Sequence, residues 1–146
     1  MQDAASIRSR ILDAFEQAEA TDDPAARASL LTFLIVGAGP TGVEMAGAIA
    51  ELARNGMAKD FRNFDPASAR ILLVQAGRRV LPQFNERLSA FARTSLEALG
   101  VEVRVDSRVE GIDPEGVGVN GERIRAGTVL WAAGVVASPA AAWLGD

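Results

Sequence analysis

The sequence contains neither cysteine nor histidine among its 146 residues. The absence of cysteine excludes a disulfide framework, a thiolate zinc site and a redox-active dithiol. The absence of histidine removes the commonest general base and the commonest metal ligand, and no metal site is expected. Any chemistry performed by this protein must therefore come from a bound cofactor.

Long apolar runs and an excess of positive charge are missing as well. No segment approaches the roughly 18 consecutive apolar residues of a membrane-spanning helix. The N-terminal residues include Asp3, Ser6, Arg8 and Arg10, which is unlike a signal peptide. The net charge is −4, and the 15 basic residues are scattered, which argues against a nucleic-acid partner. We expect a cytoplasmic protein that does not cross a membrane.

The residues that are present suffice for one sizeable core, because 49% are hydrophobic and 23% are charged. The first 31 residues predict two amphipathic helices. The first covers residues 6–20 with Ser6 as its N-cap, and the second runs from Pro24 to about Leu31 behind Asp22 or Asp23. Because they precede the first strand, we expect them to dock outside the domain or on the flank of its sheet.

An alternation of strands and helices follows, which is typical of a parallel α/β sheet. Buried strands are predicted at residues 32–36 and 71–74, and an edge strand at 101–105, where apolar residues alternate with Glu102 and Arg104. Between them, residues 41–54 predict a helix with an unusually small apolar face, and residues 55–69 form a polar, irregular insertion. A further helix after Asn85 carries the apolar stripe Leu88, Phe91, Ala92, Leu96 and Leu99.

The chain then changes to short strands joined by turns. The pair Asn120 and Gly121, between apolar segments at 117–119 and Ile124, is a strong hairpin signal. With residues 109–112 it predicts a three-stranded β-meander, which leads to a last buried strand at 128–133. The fold class is therefore α/β, a Rossmann-like parallel sheet with a β-meander crossover.

The chemistry is predicted at the turn after the first strand, which contains Gly37, Gly39, Pro40, Thr41 and Gly42. The first glycine permits the tight turn, the second admits a pyrophosphate close to the backbone, and the third allows close helix packing. The N-terminus of the following helix offers free N–H groups and a positive dipole end to the phosphates. A purely structural glycine turn explains this spacing poorly.

Gln75 ends the second strand, where this fold usually presents an acidic residue to the adenosine ribose. It lies further along the chain than usual because residues 55–69 intervene, and the alternative is a plain polar residue at a strand end. Without a carboxylate here, and with Ala76, Arg78 and Arg79 following, a 2′-phosphate is not repelled. Our hypothesis is that NADPH is accepted at least comparably to NADH.

The nicotinamide end is predicted at the carboxyl edge of the last strand, where the small residues Ala133 and Gly134 leave space for a ring. Glu44, in the first turn of the phosphate helix, has two interpretations. It either stabilises the helix dipole alone or also reaches toward the nicotinamide. Trp131 and Trp143 are interpreted as core or interface residues rather than as platforms for base stacking.

The segments GAGPTGVE, ILLVQAGRRVLPQF, LGVEVR and TVLWAAGV resemble the NAD(P)H-binding region of type II NADH dehydrogenases, which are peripheral membrane flavoproteins of the pyridine nucleotide oxidoreductases. The resemblance implies that NADH delivers hydride to FAD, which passes electrons to a quinone. It implies that the glycine turn holds the pyrophosphate, that Gln75 replaces a usual Glu at the ribose, and that Glu44, Ala133 and Gly134 lie near the nicotinamide.

No second glycine fingerprint for FAD is found, so we expect one domain of a longer protein that binds nucleotide without turning over alone. Residues 1–31 would be a linker toward an FAD domain, residues 32–137 the NAD(P)H-binding domain, and residues 138–146 a return segment. The longer protein would sit at the cytoplasmic face of the membrane, and a homodimer is left open. The alternatives are an NAD(P)-binding sensor or interaction module without redox turnover, and a degenerate domain without a ligand.

Overall fold

A computed structural model describes residues 4–57 and 59–134 of the protein. Its α-helices are α1 (Ala4–Ala20), α2 (Pro24–Leu30), α3 (Pro40–Glu51) and α4 (Glu86–Ala98). Its strands are β1 (Thr32–Val36), β2 (Arg70–Val74), β3 (Val101–Arg104), β4 (Val109–Asp113), β5 (Gly116–Val119), β6 (Glu122–Ile124) and β7 (Thr128–Trp131). A π-helical turn (Leu52–Gly56) extends α3, and a short 3-10 helix (Pro66–Ser68) precedes β2.

Four strands form a parallel sheet in the order β3-β2-β1-β7. The central strand β1 is fully buried, as its uninterrupted apolar sequence predicts. β3 lies at one edge and shows the expected alternation of buried and half-buried residues. The strand order reverses direction along the chain at β1, so the carboxyl end of β1 is the point where an open α/β sheet forms a ligand crevice.

The antiparallel meander covers one face of the parallel sheet. β4, β5 and β6 pair in that order, and the β5–β6 hairpin turns through Asn120 and Gly121, both at positive φ. The second core cluster joins the two sheets. It contains Leu34, Val36, Leu72 and Val74 from the parallel sheet and Val117, Val119, Ile124 and Ala126 from the meander and the loop after it. The predicted fold class is confirmed.

The helices cover the opposite face of the parallel sheet. The larger core cluster joins the strand residues Phe33, Ile35, Ile71 and Leu73 with Ala46 and Ala50 of α3, Leu96 of α4 and Phe15 of α1. The small residues of α3 are the ones that face the sheet, and Ala46, Ala50 and Ala53 are fully buried. The predicted close approach of α3 is therefore confirmed, and the domain has three layers: helices, parallel sheet and meander.

α1 belongs to this core. Phe15 is completely buried, and its ring lies 5.4 Å from that of Phe33 on β1 and 5.9 Å from that of Phe61. The carboxylate of Glu19 accepts hydrogen bonds from the backbone N–H groups of Arg62 and Asn63, both at 3.0 Å. Of the two predicted positions for the first helices, the structure shows packing on the flank of the sheet.

Three local predictions were wrong. α1 begins before Ser6, so Ser6 lies inside the helix and is not its N-cap, whereas Asp23 does cap α2 by accepting from the N–H of Ala25. The segment 55–69 is not purely polar, because Phe61 and Phe64 stack on each other at 5.2 Å against the core. For the segment 55–69, the packing of Phe61 and Phe64 on the core, which the local pattern does not contain, decides the outcome.

The third error concerns α4, whose predicted apolar stripe is only partly buried. Leu96 is buried and Ala92 and Leu99 pack against the core, but the other two residues of the stripe lie at the surface. Leu88 and Phe91 are 49% and 71% exposed, whereas Ser89 and Leu96 are buried. The hydroxyl of Ser89 donates to the carbonyl of Val80 at 2.6 Å, which allows a polar residue to pack there. The contact of α4 with the sheet is therefore narrower than the sequence predicts.

None of the helices in the described ranges is both long and apolar enough to span a bilayer. Residues 138–146, including Trp143, lie outside the described residues, as do residues 135–137 of the expected nucleotide domain.

Candidate functional site

The turn between β1 and α3 is held in shape by contacts that exclude side chains at two of its glycines. Gly37 has φ +100°, and a Cβ there would lie 2.6 Å from the backbone nitrogen of Ala133. A Cβ on Gly42 would overlap the carbonyl oxygen of Gly37. The N–H of Gly37 also donates to the carbonyl of Val74 at 2.7 Å. Protein packing alone therefore explains why Gly37 and Gly42 are glycines.

Gly39 is different, because a Cβ built on it would meet no atom within 4 Å. Gly39 is the N-cap of α3, Pro40 is its first residue, and in the described chain no side chain caps this helix. The N–H groups of Thr41 and Gly42 belong to the first turn, so they have no acceptor inside the helix. Open space and free N–H groups therefore meet at the positive end of the α3 dipole.

The side chain of Gln75 reaches into this turn. Its Oε1 accepts a hydrogen bond of 2.8 Å from the N–H of Ala38. Since only the amide oxygen of Gln75 can accept, its Nε2 is left as a donor at the end of β2. Gln75 is half-buried, and its backbone N–H and carbonyl bond Arg104 and Ser107 at 2.8 and 2.9 Å. The residue is thus fixed at the carboxyl edge of the sheet.

An open cleft of about 600 Å³ lies along this edge. Its lining contains most of the predicted site: Gly37, Gly39, Pro40, Thr41, Gln75, Ala76, Ala133 and Gly134. Residues that end β1, β2 and β7 complete that side of the cleft. Sequence reasoning therefore identified the turn and two strand ends that form the crevice.

The cleft is also lined by Ser107, Arg108 and Val109, which sequence reasoning missed. These residues follow β3, whose carboxyl end lies at the same edge as those of β1 and β2. The signal was available, because the loop after any strand of a parallel sheet reaches this edge. The alternation within β3 indicates an edge strand, but it does not indicate that the loop after β3 lines the cleft.

Arg78 lines a different cavity, together with Arg79, Glu86 and Arg93 over the start of α4. The guanidinium of Arg79 is engaged by the carbonyl of Pro82 at 3.0 Å and by Glu86 at 3.6 Å. The loop after β2 therefore directs both arginines toward α4, because Leu81 is tied to the glycine turn through the carbonyl of Ala38 at 2.7 Å.

Glu44 is exposed and lies beyond the first turn of α3, because the helix begins at Pro40 and not at Thr41. The expected place in the first turn was therefore wrong. Within the described chain, Glu44 is not among the residues that line the cleft.

Trp131 is 62% exposed and lines the cleft, so it is not a core residue. It ends β7, where the next residues are Ala132 and Ala133, and its indole N–H donates to the carbonyl of Ala133 at 2.6 Å. This bond orients the ring beside the segment that contains Ala133 and Gly134.

Beyond the cleft, the outer edge of the sheet carries a row of ion pairs. Glu102 on β3 pairs with Arg70 on β2 at 2.9 Å and with Arg104 at 2.6 Å, and Arg104 pairs with Glu122 of the meander at 2.7 Å. Partial burial alone would raise the pKa of Glu102, but the hydrogen bonds and charges of Arg104 and Arg70 outweigh it and lower the pKa. The hydrogen bond to Glu122 raises the pKa of Arg104 despite partial burial.

The layers and the glycine turn define a Rossmann-type α/β domain. Residues 3–145 match the family model described as pyridine nucleotide-disulphide oxidoreductase. Because this match spans nearly the whole sequence, the chain belongs to the pyridine nucleotide-disulphide oxidoreductase family.

Two curated relatives and one solved structure illustrate the similarity. The type II NADH:quinone oxidoreductase Ndh of Mycobacterium tuberculosis is 46% identical over 94% of this chain and 31% of its own length. The external alternative NAD(P)H-ubiquinone oxidoreductase B1, mitochondrial, of Arabidopsis thaliana is 32% identical over 95% of this chain and 25% of its length. The structure of NDH2 from Plasmodium falciparum in complex with NADH matches with a TM-score of 0.84 at 22% identity, over 92% of this chain and 29% of that one. The resemblance to type II NADH dehydrogenases is confirmed, and the chain spans about a third or less of the length of these proteins.

Proposed function

We propose that the cleft binds NADH or NADPH, with the pyrophosphate on the turn from Gly37 to Gly42. The observation that carries the proposal is Gly39. Its two partner glycines are required by protein contacts, whereas no atom of the described residues explains the missing side chain of Gly39. A pyrophosphate lying against the backbone at Gly39 would explain it, and the free N–H groups of Thr41 and Gly42 would then donate to phosphate oxygens.

The sheet order assigns the two halves of the dinucleotide to opposite ends of the cleft. Gln75 and Ala76, at the end of β2, would contact the adenosine ribose, and Ala133 and Gly134, after β7, would leave room for the nicotinamide. The names of two relatives, which include NADH and NAD(P)H, support a nicotinamide dinucleotide as the ligand of the cleft. The proposal concerns this chain alone and does not depend on any further domain.

We also propose that NADPH is accepted at least comparably to NADH. Oxygen Oε1 of Gln75 already accepts from the N–H of Ala38, so the group that Gln75 would offer to the ribose is the donor Nε2. A donor suits a 2′-phosphate as well as a 2′-hydroxyl, whereas a carboxylate would repel the phosphate. At about 4 Å that repulsion is roughly 4 kcal/mol at an effective dielectric near 20, before salt and relaxation reduce it.

We further propose that the chain acts within a longer flavoprotein at the cytoplasmic face of a membrane. The reduced nicotinamide supplies a hydride, which an FAD-binding domain would accept before electrons pass to a quinone. The names of the relatives support the quinone, since they are NADH:quinone and NAD(P)H-ubiquinone oxidoreductases. Glu44 would then face the flavin domain, which fits its exposure outside the cleft. The 146-residue chain alone would bind nucleotide without turnover.

Paired titrations with NADH and NADPH, followed by fluorescence of Trp131 and of the nicotinamide, test the proposal. The variant Gly39→Ala should bind both nucleotides at least about tenfold more weakly, because a methyl group would occupy the pyrophosphate position. Its free energy of unfolding should change by less than about 1 kcal/mol, since the new Cβ meets no protein atom.

The matched control is Gly111→Ala on β4, another glycine whose Cβ would meet nothing within 4 Å and which does not line the cleft. It should bind both nucleotides like the unmodified chain. A folded chain that ignores both nucleotides at millimolar concentration, or equal binding by Gly39→Ala, would refute the proposal.

A further inference from the structure

Arg108 is the only residue with a charged side chain among the described residues that line the cleft. It is exposed, and none of the described carboxylates or carbonyls pairs with its guanidinium. The arginines on either side are engaged: Arg104 bonds Glu102 and Glu122, and Arg79 bonds Pro82 and Glu86. The guanidinium N–H groups of Arg108 are therefore available as donors to a ligand in the cleft.

The backbone of Arg108 is fixed from two sides. Its N–H donates to Oδ1 of Asn120 at 2.9 Å, and the N–H of Asn120 donates back to the carbonyl of Arg108 at 3.1 Å. On the other side, the N–H of Ser107 donates to the carbonyl of Gln75 at 2.9 Å. The Cα of Arg108 is thus held next to the end of β2 by the β5–β6 hairpin turn, and only its side chain needs to be ordered on binding.

The sheet order places this cation at one particular end of the cleft. Arg108 follows β3, beside Gln75, and the segment with Ala133 and Gly134 lies beyond β1 on the other side. If Gln75 contacts the adenosine ribose, Arg108 is the nearest cleft-lining cation to the 2′ position of that ribose. Arg108 follows β3 and the turn that would hold the pyrophosphate follows β1, with only β2 between these two strands. The experiment must therefore distinguish a contact of Arg108 with the 2′-phosphate from a contact with the pyrophosphate.

We propose that Arg108 is a specificity-determining residue that binds the 2′-phosphate of NADPH. This inference rests on the proposed function of the cleft and names the group that distinguishes the two nucleotides. A guanidinium matches a phosphate through two parallel hydrogen bonds. Arg78, which the sequence places just beyond Gln75, lines the separate cavity over α4.

The test compares the affinities of the 146-residue chain for NADPH and NADH in the variant Arg108→Ala. Binding of NADPH should weaken by about tenfold, because a charge-assisted pair is lost, and binding of NADH should change by less than about twofold. The NADPH affinity of Arg108→Lys should lie between those of Arg108→Ala and the unmodified chain, because lysine keeps the charge but cannot form two parallel hydrogen bonds. The matched control Arg78→Ala should leave the ratio unchanged. Circular dichroism checks that each variant is folded.

A second measurement needs no variant. Increasing salt should weaken the binding of NADPH by the unmodified chain more than that of NADH, because the extra pair is exposed to solvent. Equal losses for both nucleotides in Arg108→Ala would overturn the inference, since Arg108 would then contact a part that they share. A selective loss in Arg78→Ala would overturn it too. An unmodified, folded chain that binds neither nucleotide would refute the proposed function itself, which is a different result.

Discussion

At the scale of single residues, the glycines of the β1–α3 turn differ in what requires them. Gly37 and Gly42 are fixed by Ala133 and by each other, and Gly39 borders open space. Their spacing predicts a phosphate turn, and the structure places all three glycines in the turn between β1 and α3. The spacing does not distinguish Gly37 from Gly39, because the side chain at Gly37 is excluded by Ala132 and Ala133, which follow β7 far along the chain.

Gln75→Glu tests whether the amide of Gln75 determines the nucleotide preference. One carboxylate oxygen would keep the bond from the N–H of Ala38, and the other would face the ribose as an acceptor. We expect the NADPH affinity to fall about tenfold or more relative to that for NADH, because the carboxylate repels a 2′-phosphate. Parallel equilibrium titrations measure the ratio.

The control for this variant is Gln83→Glu, the same chemical change at an exposed residue that does not line the cleft. It should leave the ratio of the two affinities unchanged. A ratio that is the same in Gln75→Glu and in the unmodified chain would show that Gln75 does not contact the 2′ position.

At the scale of elements, strands were easier to predict than helix faces. β1 and β2 are uninterrupted apolar segments, and β3 alternates, so their place in the centre or at the edge follows from the pattern. α4 has more apolar residues than its contact with the sheet can bury. Which of them lie at the surface is decided by the orientation of the helix, and periodicity does not determine that orientation.

Glu102→Gln should reveal the contribution of the ion pairs at the β3 edge. The pKa of Glu102 is lowered in the folded state, so the carboxylate stabilises the fold above its unfolded pKa. This stabilisation is lost as the pH falls through the lowered, folded value. Because the Glu102 side chain is 39% exposed, we expect the variant to lose well under about 1 kcal/mol at neutral pH.

Urea unfolding at neutral pH and at about pH 3 measures this effect, and the difference between Glu102→Gln and the unmodified chain should shrink at the lower pH. Glu51→Gln, an exposed carboxylate of α3 without an ion pair in the described chain, is the control. A difference that is independent of pH would contradict the electrostatic origin.

At the scale of the whole molecule, the sequence predicted the layers but not how far the first helix contributes to them. Local patterns specify which face of α1 is apolar, and they do not show that Phe15 enters a cluster with Phe33, Phe61 and Phe64. The same limit applies to the cleft, where Arg108 meets Gln75 only after β3 has paired with β2. The sequence pattern does not predict these contacts between segments that are distant along the chain.

Phe15→Ala should lower the free energy of unfolding by about 3–5 kcal/mol, because it leaves a cavity at the junction of α1, β1 and the segment before β2. Phe91→Ala is the matched control, since that ring is 71% exposed on α4, and it should change stability by about 0.5 kcal/mol or less. Thermal or chemical unfolding measures both. Equal losses in the two variants would mean that α1 does not contribute to the core.

The position of β1 between β2 and β7 also affects how the domain folds during synthesis. Phe33 lies opposite Thr128 in the β1–β7 pair, so one edge of the central strand stays unpaired until β7 has been synthesised. The meander, in contrast, contains only short-range hairpins and can form as soon as it is synthesised. During synthesis a strand that is buried on both faces therefore presents a bare, apolar edge to other nascent chains, and this is the stage at which aggregation competes with folding.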